Sequence, residues 1–242
     1  MYRLYKYKYR YPRPEVTSDC VIFAFDGKRM KVLLIERAID PFRGNWALPG
    51  GFLKMEDDLL GPHDHSAMDC AVRELQEETG LTDIKVRQLK AFSEDDRDPR
   101  DWTVTVVYYA MVLMDEIPQV KGDDDAARAM WFNMDDLPDM AFDHRKIINL
   151  AIQEIQHRAQ YYPVGMDLLP EKFTLSELRA LYEAILLKPL DEQKFRRRIT
   201  SFGHLKELKE RGLNIFKRPA RLFRFNKEKY ERFEKDGLKP NF

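Results

Sequence analysis

Three glutamates crowd one short stretch of this chain. In LPGGFLKMEDDLLGPHDHSAMDCAVRELQEETGL, residues 48–81, Glu74, Glu77 and Glu78 fall three and four residues apart, so on a helix they share one surface. Met68, Ala71, Val72 and Leu75 form a separate apolar stripe suited to packing on a sheet. Like charges so placed repel unless a cation offsets them, and hard divalent ions such as Mg²⁺ take oxygen ligands that they often share with phosphates. Gly50 and Gly51 permit a tight backbone turn at which a carbonyl could join the coordination. Taken alone, Glu77 and Glu78 read more plainly as a solvated acidic face; the whole string of residues favours metal and phosphate chemistry.

A second set of residues suits a different partner. Residues 194–224 hold eleven Lys and Arg against two Glu. Lys194, Arg196, Arg197 and Arg198 lie on one predicted helix, with Phe195, Ile199 and Phe202 as its apolar side. Consecutive positions fan out around a helix, so the three arginines cannot all be buried. A cationic second helix after a short turn is where a helix-turn-helix reads the major groove. Lys217, Arg218, Arg221 and Arg224 follow in a predicted wing and suit phosphates. A basic module that binds acidic protein or RNA, or only dimerises, would carry the same charges.

The elements that must position these residues divide the chain in two. SDCVIFAFD and MKVLLIERA read as strands of a hairpin about DGKR, residues 66–79 as a helix, DWTVTVVYYAMVLM as a long strand, and FDHRKIINLAIQEIQHRA as a helix with Ile147, Leu150, Ala151 and Ile155 inward. Residues 1–160 therefore read as an α/β domain, in the broad sense, with a mixed sheet. YYPVGMDLLP supplies two prolines and a glycine, and the linker is placed at 161–172. In residues 173–242, Thr174 and Glu177 have the form of a capping box opening a helix that carries Leu178, Leu181 and Ile185. Asp191 can cap a second helix, Gly203 and Gly212 bracket a third short one, and NIFKRPARLFRF reads as two strands about a turn. Helices followed by a hairpin outline a winged helix-turn-helix.

Composition sorts the two parts further. The net charge of zero conceals 19 Lys and Arg against 11 Asp and Glu from Glu171 to Phe242, a local +8 that the remainder balances. Charge so divided suits two domains with different partners. Cys20 and Cys70 have no spaced partners, which argues against a disulfide framework or structural zinc and for a reducing, cytoplasmic compartment. No apolar run reads as a signal peptide or a membrane span, so no membrane partner is expected.

GGFLKMED followed by RELQEETGL resembles the Nudix box, G-x5-E-x7-R-E-U-x-E-E-x-G-U with U aliphatic. Its second half is matched throughout at Arg73, Glu74, Leu75, Glu77, Glu78, Gly80 and Leu81. The resemblance implies that Glu74, Glu77 and Glu78 ligate metal, that the Gly50 carbonyl joins them, and that Arg73 orients the carboxylates. With Mg²⁺ or Mn²⁺, such a site lets activated water attack a pyrophosphate. The first half departs: Asp57, next to Glu56, stands where the motif has glutamate, and eight residues are inserted before Arg73. His63, Asp64 and His65 in that insert read as a polar surface loop, and Trp46 as core or pocket wall.

Over nearly its whole length the chain resembles the Nudix-related transcriptional regulators (NrtR) and their relatives in sugar-utilisation control. RDPRDWTVTVVYYA, AFDHRKII, FTLSELRALYEAI, KFRRRI and RPARLFRF carry that likeness. It implies an α+β chain, a Nudix α/β/α sandwich with mixed sheet followed by a winged helix. Its Nudix domain would sense ADP-ribose or a related nucleotide or sugar phosphate, and its winged helix would bind a double-stranded DNA operator as a homodimer. Many members have a decayed box and only sense; the retained RELQEETG leaves hydrolysis open beside sensing. The competing readings are a working Mg²⁺-dependent pyrophosphatase whose basic domain serves dimerisation or localisation, and a nucleotide-binding module without DNA.

Overall fold

The computed structural model of the chain describes residues 10–54, 63–114 and 126–236. Asp57, Glu56 and most of the insert lie outside the described residues.

The apolar run after Glu15 forms the central strand β1 (Glu15–Phe25), which turns through Asp26 into β2 (Met30–Arg37). Asp26 closes that turn by accepting the Lys28 and Arg29 amides on its carboxylate, at 2.9 and 2.7 Å. β3 (Trp46–Ala47) pairs with β2, and β4 (Gly50–Phe52) pairs with β1. Helix α1 (Ala67–Thr79), strands β5 (Arg87–Phe92), β6 (Thr103–Leu113) and β7 (Ala126–Asn133), and helix α2 (His144–Tyr161) complete this part. β1 and β6 run parallel while the other ladders are antiparallel, giving a mixed seven-stranded sheet among the described residues.

β1 is buried on both faces, as a central strand in a covered sheet must be. Val21, Phe23 and Phe25 face a core shared with Ile147, Ala151 and Ile155 of α2, whereas Cys20, Ile22 and Ala24 face one shared with Ala71 and Leu75 of α1. One helix thus covers each face, the expected α/β/α sandwich.

The stretch read as a linker is packed. Val164, Leu168 and Leu169 are buried, and the Val164 amide donates to the Tyr182 hydroxyl at 3.3 Å. β8 (Phe173–Thr174) leads into α3 (Leu175–Leu186), whose capping box is complete, with Thr174 and Glu177 exchanging bonds. α4 (Glu192–Ser201) starts at Asp191, which accepts the Lys194 amide at 2.8 Å.

The third helix expected between Gly203 and Gly212 is instead strand β9 (Leu205–Leu213), paired antiparallel with β10 (Pro219–Phe225). LKELKE has good helix formers, but Gly203 at φ +67° redirects the chain and β10 supplies the hydrogen-bonding edge, so tertiary pairing overrides propensity. The wing is therefore β9 and β10, and NIFKR, expected to be a strand, is its turn. Gly212 is required there: a Cβ would lie 2.9 Å from Leu222 Cδ2 across the hairpin. Helix α5 (Lys227–Asp236), which no sequence signal had marked, follows.

α2 and α3 belong to one core. Ile155 and Ala159 pack in the same cluster as Leu178, Leu181 and Ile185, and the Gln156 side-chain amide donates to the Ile185 carbonyl at 2.9 Å. Both cysteines are free and buried. Among the described residues no helix is long and apolar enough to cross a membrane.

His204, fully buried beneath Phe202, Phe225 and Phe233, has no hydrogen-bond partner for either ring nitrogen among the described residues. Burial pulls its pKa from 6.5 to about 4. The folded state thus holds the ring neutral, so stability is full above pH 6.5 and declines as pH falls toward 4 because the unfolded chain takes the proton. His204→Phe should flatten that decline by up to about 3 kcal/mol, read as urea midpoints at pH 7 and pH 4.5. Equal pH dependence in the two proteins would refute the assignment.

Candidate functional site

Ser66 caps α1, its hydroxyl accepting the Asp69 amide at 3.1 Å, and Gly80 ends the helix at φ +70°. The helix so fixed presents Glu74 and Glu78 to the turn between β3 and β4. The Gly50 amide donates to Glu78 Oε2 at 2.8 Å. A Cβ on Gly51 would sit 2.4 Å from Glu74 Oε1, and one on Gly50 would sit 2.3 Å from Asp19 Oδ1. Only glycines let this turn close over three carboxylates.

Arg73 ties the cluster together. It donates to Glu74 at 2.7 Å, to Glu77 at 3.0 Å, and to the Phe52 carbonyl at 3.1 Å. Its strongest partner is Asp64, gripped in a bidentate pair at 2.9 and 2.8 Å. Asp64 also accepts the Lys54 amide at 2.8 Å. Burial opposes the charge on Asp64, yet the Arg73 bonds hold its pKa below the usual range.

Behind the turn lies a buried polar group. Desolvation raises the Asp19 pKa to about 7 against the pull of Arg97. Arg97, itself buried, is paired with Asp143 at 2.8 Å just ahead of α2. His144 accepts the Leu48 amide on Nδ1 at 2.9 Å, which leaves the proton of the neutral ring on Nε2, 3.9 Å from Asp19 Oδ2. Burial, with Arg97 next, lowers the His144 pKa to about 3. Burial also raises the Glu74 pKa. This is a dry, acid-rich pocket.

The donors fit a hard cation in kind: Glu74 and Glu78 are carboxylates brought to a backbone turn that only glycine can make. They are not assembled as the motif implies. Glu77 turns outward to Arg73 and Lys54, and among the described residues no three His, Cys, Asp or Glu side chains are placed to share a metal ion.

At the far end of the chain, α4 buries Ile199 and sets Phe195 against Tyr182, with ring centroids 5.4 Å apart. Lys194, Arg196 and Arg197 are exposed along it. Arg198 differs, since its guanidinium donates to the Gln160 carbonyl at 3.1 Å, at the end of α2. In the wing, Asn214 Oδ1 accepts the Phe216 and Arg218 amides, each at 3.0 Å, and shapes the turn that carries Lys217 and Arg218. Arg221 is paired with Glu207 and Arg224 lies 4.0 Å from Glu171.

Residues 165–225 match the family model of the NrtR DNA-binding winged helix domain, and residues 13–151 that of the NUDIX domain. Over 91% of its length the chain is 34% identical to the ADPR responsive transcriptional repressor NtrR of Acinetobacter baylyi, 86% of which it covers. The chain belongs to the NrtR family. It is similar to the crystal structure of Shewanella oneidensis NrtR complexed with a 27mer DNA, with a TM-score of 0.75 and 31% identity over 89% of this chain and 95% of that one. Over 58% of its length it is also 39% identical to the ADP-ribose pyrophosphatase of Methanocaldococcus jannaschii, 75% of which is covered.

For this member of the NrtR family, the structure gathers Arg73, Glu74, Glu78 and Gly50 as the motif implies and leaves Glu77 at the rim. Asp64, read from sequence as part of a surface loop, proves to be the acid that orients Arg73. Counting back from Arg73 could have found it: the motif places its acid eight residues before the arginine, and Asp64 stands nine before. His63 and His65 contact each other edge to face at 4.4 Å. Trp46 stacks edge to face on Phe132 at 4.6 Å with Arg128 5.2 Å above it, and so lines the sheet surface. Asp19, Arg97, Asp143 and His144 were missed. They come from four separate places in the chain, and nothing local marks them as neighbours.

Proposed function

We propose that this protein is a cytoplasmic, dimeric DNA-binding repressor whose Nudix domain takes ADP-ribose as its effector. One observation carries the reading. The two sites are joined by a single helix, for α2 starts with His144 beside Asp19 and ends where the Gln160 carbonyl holds Arg198 of α4. A ligand that moves the start of α2 has a short physical route to the DNA-facing helix.

Such an effector must bind the DNA-competent and DNA-free states with different affinities, and the coupling is reciprocal. ADP-ribose titrated against a complex of the protein with its genomically selected operator should change the operator affinity several-fold, followed by fluorescence anisotropy. An affinity unmoved by saturating ADP-ribose would reject the effector role.

The second reading, hydrolysis of ADP-ribose, is favoured by the Gly50–Gly51 turn closing on Glu74 and Glu78. Mg²⁺ or Mn²⁺ would be held by these two carboxylates and the Gly50 carbonyl. It would polarise a phosphate oxygen and lower the pKa of bound water. Arg73, clamped by Asp64, holds Glu74 in place for either role.

A further inference from the structure

We infer that Phe52, Phe142 and Arg100 form a slot for the aromatic base of the ligand, beside the carboxylate pocket. The inference rests on the reading that this pocket takes a nucleotide. Phe52 ends β4 two residues after Gly50, whose amide holds Glu78, and its ring is 38% exposed. Phe142 comes from another element, two residues before His144. The guanidinium carbon of Arg100 lies 5.2 Å from the centre of one ring and 5.5 Å from that of the other. Two aromatic rings and a planar cation therefore meet at the edge of an acid-rich pocket.

These groups are held in advance. Arg100 donates to both oxygens of Asp98, at 3.0 and 2.7 Å, and Asp98 is itself buried. Phe142 has φ +50° and meets Phe42, at φ +65°, edge to face at 4.8 Å. Arg37 lies 4.9 Å from the Phe142 ring centre, its Nε donating to the Pro41 carbonyl at 2.8 Å. Bulky non-glycine residues rarely occupy left-handed backbone, and it costs free energy to keep them there. Two such phenylalanines in contact are hard to explain by packing alone, since both remain partly exposed.

Aromatic faces and an arginine plane stack on any nucleobase, and such stacking carries a large share of nucleotide affinity. A sugar phosphate without a base can reach the arginines and the glycine turn but gains nothing from the rings. The slot therefore makes the effector a base-bearing nucleotide and rejects base-free sugar phosphates.

AMP and ribose 5-phosphate differ only in the base and are the probes, with ADP-ribose as a third, titrated calorimetrically into the full-length protein. Wild type should prefer AMP to ribose 5-phosphate by tenfold or more. Phe52→Leu, which keeps an apolar side chain, and Arg100→Lys, which keeps the charge but not the plane, should each weaken AMP and ADP-ribose about tenfold and leave ribose 5-phosphate unchanged. A role in folding alone would weaken all three ligands alike. Equal wild-type affinity for AMP and ribose 5-phosphate, or equal losses for both in the variants, would overturn the slot, as would ADP-ribose binding that neither variant alters. Base-dependent AMP binding without any ADP-ribose binding would support the slot and overturn the effector reading instead. No binding of any of the three would overturn both.

Discussion

Replacing Arg196 and Arg197 together with alanine is expected to weaken sequence-specific duplex binding by about 100-fold or more. Both side chains are exposed on α4, so neither contributes packing that the fold would lose. Each removes charge from the surface that meets DNA, and the dependence of affinity on salt should become shallower as fewer counterions are released. Thermal unfolding should hardly change, because exposed substitutions away from caps and networks fall within about 0.5 kcal/mol. Arg198→Ala is the informative companion. That guanidinium is committed to the Gln160 carbonyl, so its loss should disturb the seat of α4 on α2. Gel shifts over a salt series would read both effects, and a double variant that binds its operator as tightly as wild type would remove α4 from the interface.

Glu78→Gln is expected to abolish Mg²⁺-dependent cleavage of ADP-ribose to AMP and ribose 5-phosphate. Wild type should show that cleavage slowly with millimolar Mg²⁺ or Mn²⁺. In this reaction water adds to one phosphorus, and the bridging P–O bond breaks. The glutamine oxygen can still accept the Gly50 amide now bonded to Glu78 at 2.8 Å, so the turn should survive while the charge a cation needs is lost. The outward set of Glu77 argues for slow turnover, since a small misplacement of a metal ligand can cost about 100-fold. Operator binding should be untouched. Turnover that persists in the variant would place the chemistry elsewhere, and wild type that binds ADP-ribose without cleaving it would make the box a ligand holder.

What can be read from the sequence here is local, and what cannot is long-range. Ser66 before Asp69, and Thr174 before Glu177, announce their helices within four residues, and the structure has both caps. The spacing of Glu74 and Glu78 is equally local. Asp19 is different: it sits in an apolar strand with no sign of a partner, and its neighbours His144 and Arg97 arrive from α2 and from the loop before β6. HLKELKERGL misleads because its composition favours a helix, while the edge it pairs with lies beyond the next turn. Asp64 is hidden for a simpler reason. An insertion displaces it from the glycines, and only its distance to Arg73 betrays its role.

The packing of Val164, Leu168 and Leu169 into the core that holds both α2 and α3 bears on how such a protein can be re-engineered. A chimera cut in this stretch would tear apart a shared interior, and both fragments would expose apolar surface on which they would aggregate. A sensor of another specificity is better spliced within α2, in helical phase, with Ile155, Gln156 and Ala159 kept on the side of the reader. The incoming domain then inherits the lever along with the DNA-facing helix that the lever carries.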